Sequence, residues 1–349
     1  MHSPDPRLLA LATAVPAIRM DQPDVSAMAS RLFDRAASEI DRLMPTYGNA
    51  GIETRYSCVP LDWYLEPHGW KERTKLFAEH AVSLMAEAAE RCLERAGIAI
   101  DAIDAIVAVS TTGIVTPSLD ALLMERLPFR RNVKRLPIFG LGCAGGVLGL
   151  ARGGALARAE PGSRVLVLVT ELCALTFRHG DNSKSNVIAS ALFGDGGAAA
   201  LISTEGDGPR FGPSGEHTWP GTLDVMGWHV EEDGLGVLFS RDIPKLVRTQ
   251  FIEAAREFLA RHGLGLADID QLCCHPGGAK VLDALEDCFG LAPGAMTDAR
   301  AILRDYGNMS AATVLFVLER MMSEGRRGRQ LLSALGPGFT AAFQVLEAA

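Results

Sequence analysis

Residues 88–113 read AAERCLERAGIAIDAIDAIVAVSTTG, and residues 254–279 read AAREFLARHGLGLADIDQLCCHPGGA. Aligned without gaps, the two stretches share seven of 26 residues, including a glycine at Gly97 and Gly263. Each copy has helical periodicity, then the glycine, a short acidic loop and a strand-like run. A repeated supersecondary unit of this kind predicts two related α/β halves packed into one molecule.

The repeat continues downstream of these stretches. Gly142 and Cys143 open one glycine-rich helix, and Gly307 and Asn308 open another 165 residues later. The stretch 204–233 is rich in glycine, proline and acidic residues, so we place the boundary there. This gives an N-terminal half, residues 1–205, and a C-terminal half, residues 206–349.

Strand-like and helix-like runs alternate along the whole chain. Strands are predicted at 102–110, 164–170 and 197–203. Helices are predicted at 75–96, 145–159, 245–262, 279–289 and 311–323. The alternation is typical of an α/β fold and predicts mostly parallel strand pairing.

Composition excludes several classes of protein. Of the 349 residues, 48% are hydrophobic and 22% are charged, and the net charge is −8. These values exclude a mainly disordered chain and argue against a basic nucleic-acid surface. No run reaches the roughly 18 apolar residues of a membrane span, and no secretion signal is recognisable. Seven scattered cysteines without a C-x-x-C pair indicate a reducing compartment, so we expect a cytoplasmic protein.

The first candidate catalytic residue is Cys143, in PIFGLGCAGGVLGLA (137–151). It follows a strand and opens a helix, where backbone N–H groups and the helix dipole favour a thiolate and can bind an oxyanion. The segment 140–145 also matches the dinucleotide pattern G-x-G-x-x-G. That alternative is weak, because no acidic residue ends a strand about 20 residues on.

Two further polar residues follow strand or helix boundaries in the second half. His275 ends the strand of LCCHPGGAK (272–280), and Asn308 precedes a helix in LRDYGNMSAAT (303–313). Taken alone, the histidine could be structural and the asparagine a helix cap. Asn308, however, occupies the position in the second half that Cys143 occupies in the first. Cysteine, histidine and asparagine on converging loops predict acyl transfer through a thioester, with no metal and no resident cofactor.

Several motifs, spread over nearly the whole chain, together resemble those of the type III polyketide synthases. These enzymes are the chalcone- and stilbene-synthase-like branch of the thiolase superfamily. The matching segments are Gly142–Gly145, Leu192–Gly196, His275–Gly278, Tyr306–Ser310 and Ala334–Gly338. The last of these departs from the family's Gly-Phe-Gly-Pro-Gly in its first two residues. The resemblance implies a thiolase-like fold, with two related halves in a five-layered αβαβα arrangement.

The resemblance also implies a reaction and partners. Cys143 would be loaded by an acyl-CoA starter, and His275 and Asn308 would hold the enolate formed when malonyl-CoA loses carbon dioxide. The imidazole would stabilise the Cys143 thiolate as an ion pair. A homodimer is implied as well, in which Thr116 reaches the cavity of the partner.

Residues around the cavity are assigned by the same resemblance. Phe193 matches a gatekeeper phenylalanine, and Val237 stands where the family has a second one. The substrate-binding candidates are Phe193, Thr111, Cys173, Val237, Gly277, Gly278, Lys280, Ser310 and Arg42. Arg42 and Lys280 are the candidates for contacts with CoA phosphates, since Pro45 and Asn49 replace basic residues of the plant enzymes.

Further segments, at 61–70, 226–228 and 239–244, resemble bacterial alkylpyrone and alkylresorcinol synthases. We therefore expect a fatty acyl-CoA starter, iterative extension and a pyrone or resorcinol product. Two alternatives stay open: a single-condensation enzyme like β-ketoacyl-ACP synthase III, and a catalytically silent relative that binds acyl-CoA. The pattern Gly336-Pro337-Gly338-Phe339 favours the polyketide synthase over the first.

Overall fold

The computed structural model describes residues 4–33, 44–240 and 242–348, and their architecture is mixed α/β. The strands are β1 (Arg7–Ala14), β2 (Ile18–Asp21), β3 (Thr54–Ser57), β4 (Ala105–Val109), β5 (Lys134–Ile138), β6 (Val165–Leu172), β7 (Asp195–Ser203), β8 (Arg210–Thr218), β9 (Met226–Val230), β10 (Leu235–Phe239), β11 (Gln271–Cys274), β12 (Gly328–Gly336) and β13 (Thr340–Ala348). The α-helices are α1 (Gln22–Leu32), α2 (Pro45–Gly48), α3 (Trp70–Ala96), α4 (Leu119–Arg126), α5 (Gly145–Ala159), α6 (Lys184–Leu192), α7 (Ile243–Leu246), α8 (Ile252–Ala260), α9 (Ala279–Phe289), α10 (Thr297–Tyr306) and α11 (Thr313–Ser323).

Nine strands form one sheet in the order β11-β12-β13-β8-β1-β7-β6-β4-β5. The two halves meet at β1 and β8, which pair only through Arg7 and Arg210. Parallel pairing is confined to β4–β5, β4–β6 and β11–β12, and the other five neighbouring pairs are antiparallel. The prediction of mostly parallel pairing is therefore wrong. In part, this is because β12 and β13 are joined by a short turn that has no room for a crossover helix.

In the first half, β4, β6 and β7 are buried along their whole length and on both faces, as expected for a thiolase-like fold. In β6, Val165, Val167 and Val169 belong to the core that contains α5 and α11. Leu166 and Leu168 belong to a second core, on the face covered by α3. In the second half, α8 packs on β8 and β13. From one side of the molecule to the other, the layers are therefore α3, the strands of the first half, the central helices α5 and α11, the strands of the second half, and α8.

The internal repeat has a structural basis at its aspartates. Asp104 Oδ2 accepts a hydrogen bond from the Arg164 N–H at 2.8 Å. Asp270 Oδ2 accepts one from the Arg329 N–H at 2.7 Å. Each aspartate ties the start of one strand to the start of its parallel neighbour, so the two halves share this local geometry. The division at residues 205 and 206 stays a prediction; it falls between β7 and β8.

Two helices, α5 and α9, begin and end at the predicted residues. The helix predicted over 245–262 is instead α7, a π-helical turn (Val247–Phe251) and α8. The π turn keeps both Val247 and Phe251 buried. The helix predicted over 311–323 begins with a 3-10 turn (Ser310–Ala312), and α11 starts at Thr313.

Helix α5 and the segment that leads into α11 make a close contact at a glycine of α5. A Cβ atom added to Gly146 in α5 would lie 2.2 Å from the carbonyl oxygen of Ala311, just before α11. A main-chain oxygen cannot turn away as a side chain can, so only glycine allows this approach. The contact therefore sets the spacing between the two halves at the centre of the molecule.

We expect Gly146→Ala to lower the free energy of unfolding by about 1–3 kcal/mol. The overlap with the Ala311 carbonyl outweighs the gain in helix propensity, which is about 1 kcal/mol. Chemical denaturation measures the difference. Gly48→Ala is the control, because a Cβ there meets nothing within 4 Å. Equal stabilities of the Gly146→Ala variant and the wild type would contradict the constraint.

Candidate active site

Cys143 lies in a tight turn between β5 and α5. The turn is 3-10 helical (Gly142–Ala144), and Gly142 has a φ of 50°. A Cβ at Gly142 would lie 2.4 Å from Pro337 Cδ, so the segment after β12 packs directly behind the turn. The Gly142 N–H donates to Thr111 Oγ1 at 3.0 Å. Thr111, predicted to line the cavity, therefore anchors the loop of the cysteine.

Asn308 is held by its main chain and its side chain. Its N–H donates to the Leu192 carbonyl at 2.8 Å, and its own carbonyl accepts from the Gly194 N–H at 3.1 Å. The side-chain Oδ1 accepts from the Ser310 N–H at 2.8 Å, and Nδ2 donates to the Gly277 carbonyl at 3.1 Å. These bonds fix the carboxamide orientation and leave its second N–H for another acceptor.

His275 follows β11 directly, and its N–H donates to the Ser333 carbonyl at 2.8 Å. The side chain is buried, and neither ring nitrogen has a hydrogen-bond partner in the described part of the chain. Burial lowers the pKa of His275 to about 3. The neutral imidazole is therefore the form present at neutral pH, with one N–H donor and one acceptor.

Cys143, His275 and Asn308 line one buried cavity, together with Gly277. Its other walls are mostly apolar: Met226, Ile243, Phe251, Val281, Leu285, Ser333, Ala334 and Leu335. The three residues that the sequence singled out separately thus converge. A thiol, an imidazole and a carboxamide in a mostly apolar chamber suit acyl transfer with a stabilised oxyanion.

The protonation of the cysteine differs from the expectation. Burial raises the pKa of Cys143 to about 12; a hydrogen bond with Ser310 lowers it, and the charge of Glu171 raises it further. In the residues that the structure describes, no hydrogen bond or ion pair joins Cys143 to His275. Burial therefore favours the neutral thiol and the neutral imidazole over the expected thiolate–imidazolium pair, because desolvation outweighs the effect of the helix N-terminus.

Glu171 is a buried carboxyl that sequence reasoning missed. Its Oε2 accepts from the N–H groups of Thr111 at 2.9 Å and Thr112 at 3.1 Å, and from Thr112 Oγ1 at 2.8 Å. Burial raises its pKa to about 7, with a hydrogen bond from Ser310 opposing the shift. The available signal was a lone glutamate in the apolar run VLVLVTEL of β6.

Ser310 lies near both this carboxyl and the thiol, and its side chain lowers the pKa of each. It has a φ of 47°, in the left-handed region, and it is buried. Its N–H bond to Asn308 holds this strained conformation. Ser310, predicted to bind substrate, is not one of the residues that line the chamber of Cys143; it acts instead on the ionisation of Cys143.

A second, apolar cavity lies beside Phe193, which does not line the Cys143 chamber. Its walls are Met20, Val25, Met28, Ala29, Leu32, Tyr47, Arg55, Leu61, Tyr64, Cys173, Ala174, Phe177, Ala189, Ser190 and Phe193. Cys173 and Phe193 pack in one cluster with Val237 and Phe239 on β10. The structure thus brings together three of the predicted lining residues, Cys173, Phe193 and Val237.

An open groove of about 490 Å³ adjoins the catalytic chamber. Gly277, Gly278 and Lys280 line it, as do Pro45 and Asn49. Arg42, the other candidate for phosphate contacts, lies outside the described residues. Over the described ranges, no cluster of metal-ligating side chains occurs, and no helix is long and apolar enough to cross a membrane.

Comparison with known proteins agrees with the class that this fold and chamber define, a thiolase-like condensing enzyme. The profile of the chalcone and stilbene synthase N-terminal domain matches residues 63–206, and that of the C-terminal domain matches residues 214–348. The chain therefore belongs to the chalcone and stilbene synthases, the type III polyketide synthases, which are acyltransferases.

Three bacterial proteins illustrate the similarity of this chain to known members of the family. A family member from Bacillus subtilis (strain 168) is 38% identical, covering 95% of this chain and 96% of that one. The 1,3,6,8-tetrahydroxynaphthalene synthase of Streptomyces peucetius subsp. caesius is 37% identical, covering 97% and 92%. The crystal structure of 1,3,6,8-tetrahydroxynaphthalene synthase from Streptomyces coelicolor A3(2) has a TM-score of 0.93 at 29% identity, covering 98% and 99%.

We expect alkylation of Cys143 by iodoacetamide to accelerate about tenfold per pH unit from pH 8 to 11, because the thiolate reacts and its pKa lies near 12. Glu171→Gln removes a negative charge above pH 7, lowers the thiol pKa and speeds alkylation by about two- to tenfold at pH 9. Ser310→Ala removes a hydrogen bond that lowers the pKa and slows the reaction. Mass spectrometry of the Cys143 peptide gives the rates.

Two checks keep this measurement specific. Cys143→Ala shows that the modified peptide is the intended one among seven cysteines. Alkylation under denaturing conditions gives the ordinary thiol profile. A native rate that levels off below pH 9 would show a thiolate stabilised in the free enzyme, which would contradict the neutral pair.

Proposed function

We propose that this chain loads an acyl-CoA starter on Cys143 and extends it with malonyl-CoA by iterative decarboxylative condensation. The thiol attacks the thioester carbonyl and its proton passes to His275, which hands the same proton to the departing sulfur, so that CoA leaves as the thiol. An acyl–Cys143 thioester remains. The proton transfer happens as substrate arrives, which fits the neutral resting state of both groups.

In the extension step, malonyl-CoA loses carbon dioxide and the electron pair of the broken bond forms an enolate. The N–H of neutral His275 and the remaining amide N–H of Asn308 stabilise its oxygen. The enolate carbon then attacks the acyl carbonyl and expels the Cys143 thiolate. No metal and no resident cofactor enters these steps, because decarboxylation supplies the carbanion.

The observation that carries the choice of starter is the apolar cavity behind Phe193 and Cys173. Its walls are mainly aliphatic, aromatic and sulfur-containing side chains, which suit a hydrocarbon chain. Cys173 lies close enough to Cys143 for the thiols to influence each other's ionisation. A fatty acyl chain on Cys143 would pass Phe193 into this cavity, which has a volume of about 50 Å³ and would have to widen to hold a long chain. Cyclisation would give an alkylpyrone or alkylresorcinol.

The relatives favour a second product. Several are 1,3,6,8-tetrahydroxynaphthalene synthases, and one is a 3,5-dihydroxyphenylacetyl-CoA synthase from Amycolatopsis balhimycina. A ten-carbon naphthalene corresponds to five two-carbon units and contains no long starter. The same chamber would then use malonyl-CoA as both starter and extender.

We also propose that the protein is a homodimer. The edge strand β5 is exposed along most of its length, and Leu136 is 37% exposed. Phe139, just after it, is 55% exposed, and Ile114 on the adjacent loop after β4 is 50% exposed. Exposed apolar side chains grouped in this way are normally covered by a partner. Thr116 lies on the same loop and is exposed, so a second copy would meet it.

Seven unpaired cysteines support a reducing, cytoplasmic setting for this reaction.

We expect Ala29→Phe to reduce turnover of C12–C18 acyl-CoA starters at least about tenfold and to leave C2–C4 starters within about twofold. Ala29 is buried on α1 at the wall of the apolar cavity, away from the Cys143 chamber. Ala27→Phe is the matched control, because Ala27 faces solvent on the same helix. Product mass spectrometry with starters from C2 to C18 and malonyl-CoA gives the result.

Cys143→Ala should abolish every product in this assay. Long-chain pyrones or resorcinols from the wild type would support the proposal. A naphthalene from malonyl-CoA alone, with no long-chain product, would replace it with the second candidate. A single β-ketoacyl product would indicate a single-condensation enzyme, and no Cys143-dependent product an acyl-CoA-binding protein.

We expect light scattering at micromolar concentration to give the mass of a dimer, and Phe139→Glu combined with Leu136→Glu to shift it to that of a monomer. The charges would have to be buried without partners in the dimer. Leu223→Glu is the control, since Leu223 is 82% exposed elsewhere on the surface. A monomeric wild type would contradict the homodimer.

A further inference from the structure

A buried arginine binds the main chain at the end of α6. Arg55 lies on β3 and is 2% exposed. Its Nη1 donates to the carbonyls of Ser190 at 2.8 Å and Phe193 at 2.9 Å, and its Nη2 donates to the carbonyl of Ala191 at 2.7 Å. Carbonyls in the last turn of a helix have no partner within it, and a cation is favourable there. The guanidinium thus caps α6 and also holds Phe193, the residue that follows the helix.

Main-chain groups of the same segment that Arg55 does not hold are bonded to Asn308. The Leu192 carbonyl accepts from the Asn308 N–H at 2.8 Å, and the Gly194 N–H donates to the Asn308 carbonyl at 3.1 Å. Phe193 and Asn308 thereby form a short parallel bridge. Between residues 190 and 194, the main chain is therefore shared by two side chains' worth of constraint, one from Arg55 and one from the bridge. The position of Asn308 depends on a segment that Arg55 fixes.

Close packing passes any movement of this segment on to Asn308. A Cβ atom added to Gly194 would lie 2.5 Å from the carbonyl oxygen of Tyr306 and 3.3 Å from Arg55 Cβ. One added to Gly307 would lie 2.9 Å from the carbonyl oxygen of Leu192 and 3.5 Å from Arg55 Cβ. The two segments therefore touch each other and the stem of Arg55, with no space to shift independently.

The charge of Arg55 is held mainly by neutral groups. Burial lowers the pKa of Arg55 to about 10, so the guanidinium is still protonated at neutral pH. Within the described residues it forms no ion pair, and its fourth partner is the carboxamide oxygen of Gln22, the first residue of α1. A buried charge is costly unless hydrogen bonds replace its water. Lysine could not make these bonds, because a compact ammonium does not span three carbonyls as a planar guanidinium does.

We propose that Arg55 is a positioning residue for the condensation, placing Asn308 and Phe193 by holding residues 190–194. Arg55 does not line the chamber of Cys143, so it acts through the main chain and not on the reacting atoms. The proposal rests on the proposed function, because it concerns the group that stabilises the enolate there. In the sequence, Arg55 is a single arginine in the short strand TRYS, without a motif of its own.

The first test measures carbon dioxide release from malonyl-CoA, a step that uses Asn308 and needs no starter. We expect Arg55→Lys to lower kcat about 10- to 100-fold and to leave KM within about threefold, because the enolate site is displaced while substrate binding is kept. Arg73→Lys is the matched control. Arg73 is also buried and donates to two carbonyls, those of Leu175 and Phe177, which are not bonded to Asn308. Its kcat should stay within about twofold of the wild type.

The second test separates positioning from a general loss of stability. Guanidinium chloride at non-denaturing concentration should restore kcat of Arg55→Ala at least about fivefold, because the free cation can occupy the place of the lost side chain and bind the same carbonyls. Methylammonium chloride at the same ionic strength should not. A merely structural role predicts the opposite, since guanidinium weakens folded proteins. Arg73→Ala should gain nothing from either salt.

A crystal structure of Arg55→Lys, which keeps the buried charge and is the milder change, gives a readout independent of activity. We expect residues 190–194 to shift and the bond from the Asn308 N–H to the Leu192 carbonyl to lengthen from 2.8 Å. An unmoved Asn308, or a kcat for Arg55→Lys equal to that for Arg73→Lys, would overturn the proposal. A wild type that releases no carbon dioxide would contradict the proposed function instead, and the crystal structure would still show whether Arg55 places Asn308.

Discussion

The approach of Gly146 to the Ala311 carbonyl is the contact on which the catalytic chamber depends. Helix α5 begins two residues after Cys143, and Ala311 lies three residues after Asn308. A fixed distance between these segments therefore fixes the thiol relative to the carboxamide. The packing of Pro337 on Gly142 adds a third constraint behind the nucleophile. The site is thus placed by close packing at the centre of the molecule.

Local patterns in the sequence predicted the helices and strands better than their arrangement. The bounds of α5 and α9 follow from periodicity and from the residues that flank each helix. The strand partners do not, because pairing joins segments far apart in the chain and depends on connection length. The π turn at Val247–Phe251 was not predicted either, because its buried residues, Val247 and Phe251, have the i, i+4 spacing of an ordinary α-helix.

The convergence of the three candidate residues could be predicted from the sequence, whereas the effect of burial on their ionisation could not. Cys143, His275 and Asn308 follow from the internal repeat and from their places at strand or helix boundaries. The sequence shows that a helix starts at the cysteine, an effect of about 0.3–1 kcal/mol. It does not show how many atoms cover the thiol, and each pKa unit of desolvation is about 1.4 kcal/mol. Glu171 was missed for the same reason, since a buried carboxyl in an apolar strand has no local pattern of its own.

A covered thiol with a high pKa has a consequence for the chemical durability of the protein. Peroxides and similar oxidants attack thiolates, so an exposed cysteine of low pKa is the first to become a sulfenic acid. Burial favours the protonated form of Cys143 while the enzyme is idle, which withholds the reactive thiolate from small oxidants. Its nucleophilicity emerges only during turnover, when it is consumed by acyl transfer. The resting enzyme should therefore retain its nucleophile through an oxidative episode that would inactivate a thiolate-based hydrolase.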